Sequence, residues 1–172
     1  MPPRRRTGRH NNVPITYTSG EQVEVYRFNW LITLGVPATA LFLQAWLPQQ
    51  FPFFAMLDLP LLVTIFFSIS RRNPVSGLLT GGAIGVFQDA LTHLPIGING
   101  IAKTVVGYGA SSLGVKIDVE NAGARLLVTL VFCVLNKIVY FMVARGLVNL
   151  NVQCNWPHEL WSALLNAFVG VF

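Results

Sequence analysis

The sequence predicts an all-α membrane protein, a six-transmembrane-helix bundle, and three observations predict it. Of the 172 residues, 53% are hydrophobic and only 11% charged, and the mean hydropathy is +0.55. A soluble domain would carry roughly a quarter charged residues. Six apolar runs approach the length of a bilayer crossing, and the basic residues gather at alternate ends of those runs. The chain divides into a flexible, basic, cytoplasmic segment over 1–29 and a six-helix transmembrane domain over 30–172. The lipid bilayer is its main surroundings, and no nucleic-acid partner is expected.

A bilayer core about 30 Å thick needs about 17–25 mostly apolar helical residues per crossing. "WLITLGVPATALFLQAWL" (30–47) fits as the first span, with Pro37 as a kink that neighbouring helices can accommodate. "FFAMLDLPLLVTIFFSIS" (53–70) is the second, interrupted by Asp58 and Pro60. The third is "PVSGLLTGGAIGVFQDALT" (74–92), the fourth "GINGIAKTVVGYGASSLGV" (97–115) and the fifth "ARLLVTLVFCVLNKIVYFMVA" (124–144). The sixth, "WPHELWSALLNAFVGVF" (156–172), is short; Asn155 is its expected N-cap, with Pro157 in the first turn.

Lysines and arginines in short loops set orientation. With the N-terminus inside, the cytoplasmic side holds Arg4, Arg5, Arg6, Arg9, Arg27, Arg71, Arg72, Lys116 and Arg125, against Arg145 alone on the other side. Both termini are therefore expected in the cytoplasm of a multi-pass inner-membrane protein. About 20 polar residues part the N-terminal arginines from the first apolar run, and no small-residue cleavage site follows, so no cleaved signal peptide is expected. Those arginines either sit on anionic lipid or serve only as a topology signal. Cys133 falls within span five and Cys154 in an outer loop; their spacing offers no metal motif, and their depths disfavour a mutual disulfide.

Charged side chains inside a span cost about 2.5–3.5 kcal/mol each on insertion scales, so they face protein or water rather than lipid. Asp58, Asp89, Lys103 and Lys137 are such residues, and Asn99 and Gln88 are polar neighbours suited to interhelical hydrogen bonds. At 1.5 Å per residue, Asp58, Asp89 and Lys103 fall roughly 7, 5 and 9 Å below the outer edge, with Lys137 deeper. The tight turn "HLPIG" makes spans three and four an antiparallel hairpin, in which Asp89 and Lys103 are expected to pair. Two roles stay open for this polar cluster: an internal clamp on helix register, or an outward pocket holding a ligand or a partner's side chain. His93 reads as an exposed turn residue.

Gly77, Gly81 and Gly85 recur every four residues and form a smooth helix face for close packing, within the molecule or between molecules. Gly107 and Gly114 repeat the theme on span four. The sequence holds no nucleophile elbow, no paired histidines at metal spacing and no HxxxxD acyltransferase motif. "TGGAIG" lacks the lysine of a phosphate-binding loop. A non-enzyme with no catalytic residue, cofactor or metal is the expectation.

Four features in order over roughly 55–145 resemble the MreD family of bacterial rod-shape-determining membrane proteins. They are "DLPLLVTIFFSISRRNPVSGLLTGGAIG", "FQDAL", "LPIGINGIAKTVVGYG" and "VLNKIVYF". Asp89, Pro95, Gly97 and Tyr108 match the family pattern. The N-terminal polar segment is longer than the family suggests, and the basic tail expected after the last span is missing. The resemblance implies a six-helix fold similar to the substrate-binding subunits of energy-coupling-factor transporters. It also implies a non-catalytic scaffold of the cell-elongation complex, working beside an MreC-like single-span partner, an MreB-type cytoskeleton and the peptidoglycan synthases of the lateral wall. The alternative is a substrate-binding subunit of a vitamin transporter, against which span one offers only a broken small-residue docking face.

Overall fold

A computed structural model describes residues 30–114, 121–150 and 155–171. The N-terminal segment over 1–29, residues 115–120 with Lys116, residues 151–154 with Cys154, and Phe172 lie outside the described residues. Those residues form six α-helices, one short 3-10 helix and no strand: α1 (Trp30–Gln50), the 3-10 helix (Pro52–Met56), α2 (Leu59–Arg71), α3 (Pro74–Leu91), α4 (Ile98–Gly114), α5 (Ala122–Gly146) and α6 (Trp156–Val169). Only α1, from Leu31, and α5 are long and apolar enough to cross a bilayer unaided. The other four helices have 13–18 residues, each shorter than the apolar run that predicted it.

The second run differs most. Instead of one helix over 53–70, the chain makes a 3-10 turn, breaks, and restarts at Leu59. The reason is local chemistry. Asp58 has a non-helical backbone and its Oδ1 accepts from Leu61 N at 3.1 Å, so it caps α2 rather than lying inside it. Pro60 follows in the first turn, where its missing N–H is harmless. Helix α3 starts the same way: Asn73 Oδ1 accepts from Val75 N and Ser76 N, with Pro74 at the first helical position. Arg72, at φ 50°, ends α2 in the left-handed conformation and turns the chain directly into α3. Asn155 does stand at the N-cap of α6, but its side chain makes no capping bond.

Helix α4 is the centre of the bundle and packs on α2, α3 and α5, while α6 packs on α5 and α1 lies against α2 and α3. The apolar core joins Leu61 and Ile65 of α2, Val106 and Ala110 of α4, Phe132 and Cys133 of α5 and Ala163 of α6. Large apolar side chains meanwhile point outward on every helix, among them Phe42, Phe66, Phe87, Val105, Leu127 and Leu164. Lys103, Asp89, Thr64, Ser68 and Ser111 are fully buried. Apolar outside and charged inside is the reverse of a water-soluble domain.

The glycine face is consumed within the molecule. A methyl group at Gly77 would collide with Ser111 Oγ and the Gly107 carbonyl, one at Gly81 with the Lys103 carbonyl, and one at Gly85 with the backbone of Asn99 and Gly100. Gly107 returns the contact against the Gly77 carbonyl. The two helices therefore touch backbone to backbone, which only glycine permits. Of the two partners left open for this face, α4 is the one that takes it.

Candidate functional site: a divided polar core

The backbone contact of α3 and α4 sets the positions of Asp89 and Lys103, but it does not pair them. Asp89, at the end of α3, aims its carboxylate at the start of α4. Oδ2 accepts from the backbone N–H groups of Gly97 (2.8 Å), Asn99 (3.1 Å) and Gly100 (3.3 Å). Oδ1 accepts from Asn99 Nδ2 at 2.8 Å and from Asn99 N at 3.2 Å. A helix start leaves backbone donors without partners and carries partial positive charge. Asp89 supplies the missing acceptor from the neighbouring helix, and it is fully buried while doing so. The turn between them needs Gly97, whose φ of 111° side-chain-bearing residues rarely adopt, and His93, at φ 57°, stands exposed beside it.

Lys103 pairs instead with Asp58: Nζ lies 2.8 Å from Oδ2, with the lysine fully buried and the carboxylate 18% exposed. The expected Asp89–Lys103 pair is thus corrected. Lys103 sits more than a turn further along α4, past the reach of a carboxylate held at the helix start. Gln88 Nε2 approaches Asp58 Oδ1 at 3.5 Å, a long contact that links the two halves of the core.

Lys137 does not join this cluster. It makes an ion pair with Glu159 at 2.6 Å, tying α5 to α6, and both side chains are partly exposed. His158 Nδ1 stands 3.9 Å from the other oxygen of Glu159 and is charged only when protonated. The five predicted residues therefore separate into three units: Asp89 with Asn99, Asp58 with Lys103, and Lys137 with Glu159. Of the family-pattern positions, Asp89 and Gly97 meet at the α4 cap. Pro95 is exposed in the turn, and Tyr108 is 53% exposed on the outer face of α4.

Three side chains besides Glu159 escaped the sequence reading. Asn166 Oδ1 accepts from Asp58 N at 2.8 Å, and Asn166 Nδ2 donates to the carbonyls of Met56 (2.9 Å) and Ser162 (2.8 Å). Ser162 Oγ also donates to the Met56 carbonyl, and Gln44 Oε1 of α1 accepts from Leu59 N at 3.0 Å. Together they satisfy the backbone groups freed where the second run breaks. Irregular backbone at membrane depth is tolerated only where protein supplies such partners. The signal that could have revealed them was polar residues, Gln44, Ser162 and Asn166, on otherwise apolar helices.

Among the described residues, no group of three or more His, Cys, Asp or Glu side chains is placed to hold a metal ion. Cys133 is a buried free thiol. What the arrangement does chemically is neutralise and tether: each buried charge is met by an opposite charge or by backbone donors.

Compared with known proteins, residues 26–172 match the family model for rod shape-determining protein MreD, nearly the whole chain. No curated protein and no solved structure matches it.

Proposed function

Since the chain belongs to the MreD family of rod shape-determining membrane proteins, its role lies in rod shape determination, and we propose that it acts there as a non-catalytic scaffold. In this reading it crosses the inner membrane six times with both termini in the cytoplasm. It binds an MreC-like single-span partner, and through it helps organise MreB-type filaments and the peptidoglycan synthases of lateral wall growth. The likeness of its helix arrangement to transporter substrate-binding subunits belongs to the same proposal.

One observation carries it: the charges of the polar core are spent on each other and on the backbone. Lys103 neutralises Asp58, and Asp89 is saturated by the start of α4. A ligand-capturing subunit needs polar groups turned toward an open cavity. Here they fix helices instead, which favours the internal clamp and the scaffold over the transporter.

Alkaline phosphatase fused after Gln49 or His93 is expected to be active, and fused after Asn73 inactive, because the basic residues concentrate near Asn73. Activity at Asn73 would overturn the orientation. Loss of the protein is expected to round the cells, and an MreC-like protein is expected to co-purify with it; rod-shaped growth without it would refute the role.

A further inference from the structure

Between α1, α2 and α3 runs an apolar groove of about 370 Å³, lined by Pro37 and Leu41 of α1, Phe67 of α2, and Ile84 and Phe87 of α3. Arg71, the last residue of α2, also lines it. Its guanidinium is held by all three helices: Nη1 donates to Ser76 Oγ and Nη2 to Thr33 Oγ1, each at 3.0 Å, and the group lies over the Phe67 ring, 5.8 Å from its centre. A guanidinium has five N–H donors, so these two bonds leave others unused. Among the described residues, no carboxylate lies within ion-pair distance of Arg71 or of Arg72 beside it.

The dimensions decide what fits. From Thr33 to Leu41 the groove runs about 12 Å along α1, close to the roughly 15 Å depth of one leaflet's hydrocarbon. A groove of that length and apolar lining accommodates a single extended hydrocarbon chain.

We propose that this groove binds one anionic phospholipid, with an acyl chain along Phe67 and Ile84 and the phosphate on the Arg71 guanidinium, next to Arg72. The planar fork of an arginine suits two phosphate oxygens. A fixed cation at the mouth of an apolar groove favours a lipid of net negative charge over a zwitterionic one. The topology proposed above places this end in the cytoplasmic leaflet, where anionic lipids gather. The binding itself does not depend on orientation, so the test in detergent stands or falls apart from the topology.

The intact protein, purified in mild detergent, is titrated with phosphatidylglycerol and with phosphatidylcholine of the same chains, and bound lipid is counted by native mass spectrometry. Phosphatidylglycerol is expected to be retained roughly tenfold more tightly, the scale of a charge-assisted contact. Arg71→Gln should abolish that preference. Ala83 also lines the groove, seven residues or about 10 Å along α3 from the Ser76 that holds the guanidinium, so Ala83→Phe fills the groove away from the cation and should lower retention of both lipids. Because Arg71→Gln also removes a bridge between three helices, its melting temperature is recorded, and Ala83→Phe carries the test if that variant fails to fold. Equal retention of the two lipids by the unmodified protein would overturn the proposal. So would unchanged retention in Ala83→Phe, or competition by glycerol phosphate as effective as by the whole lipid.

Discussion

Replacing Lys103 by methionine keeps most of the length of the side chain and removes its charge, leaving the Asp58 carboxylate beside the core with no counter-charge. Breaking a buried ion pair from one side costs about 3–5 kcal/mol. Asp58 is 18% exposed and keeps its bond from Leu61 N, so the lower end, about 3 kcal/mol, applies. For a chain of this size that corresponds to a fall of roughly 6–12 °C in melting temperature in detergent. Adding Asp58→Asn removes the orphan charge while an asparagine still caps α2. The double variant should therefore regain a large part of the loss, with a coupling of at least about 1 kcal/mol. Lys103→Met with Asp89→Asn should instead be additive within about 0.5 kcal/mol, because the two residues do not touch. Additivity with Asp58 and coupling with Asp89 would restore the pairing that the sequence suggested and refute the observed one.

Two further substitutions test the packing. Gly81→Leu drives a side chain into the Lys103 backbone, and with no room for a Cβ it should collapse the yield of folded protein; a Gly81→Leu protein with the normal melting temperature would show that α3 and α4 are not in backbone contact. Asn166→Leu leaves Asp58 N without its partner, at about 1–3 kcal/mol for a buried group left unpaired, so melting should fall by several degrees. A loss smaller than that of Lys103→Met is still expected, since Ser162 Oγ continues to serve the Met56 carbonyl.

The helices were legible because their signals are local. Apolar runs, Pro157 in the first turn of α6 and the glycine spacing of α3 each act within a few residues. The turn "HLPIG" was legible as a tight hairpin, since a glycine before an apolar run supplies the positive φ seen at Gly97. The break before α2 was not, although its ingredients were in view. Asp58 and Pro60 were read as interruptions of one span, whereas a carboxylate followed by proline also spells the start of a helix. Run length outweighed capping chemistry in that reading. The break is stable only because Gln44 and Asn166, 15 and 108 positions away, reach its backbone, and no local pattern announces partners at that separation.

The partner of Asp89 illustrates why charge counting fails inside a bundle. Depth along the membrane normal puts three charges near one level, and opposite charges on one hairpin make the natural pair. Depth leaves out the competition from backbone dipoles. A helix beginning inside apolar surroundings offers several unpaired N–H groups at fixed positions, close together and without the entropy of a long lysine chain. A short aspartate on the preceding helix, held by the Gly85 contact at the level of Asn99 and Gly100, reaches them directly. Lys103 is left to extend toward α2, where the Asp58 cap keeps one carboxylate oxygen available. The two carboxylates thus divide the work by geometry: the one beside a helix start meets the backbone, and the one on a broken segment meets the ammonium. Both assignments depend on α3 and α4 touching at glycine, so a side chain added to that face should disturb the ionic core as well as the packing.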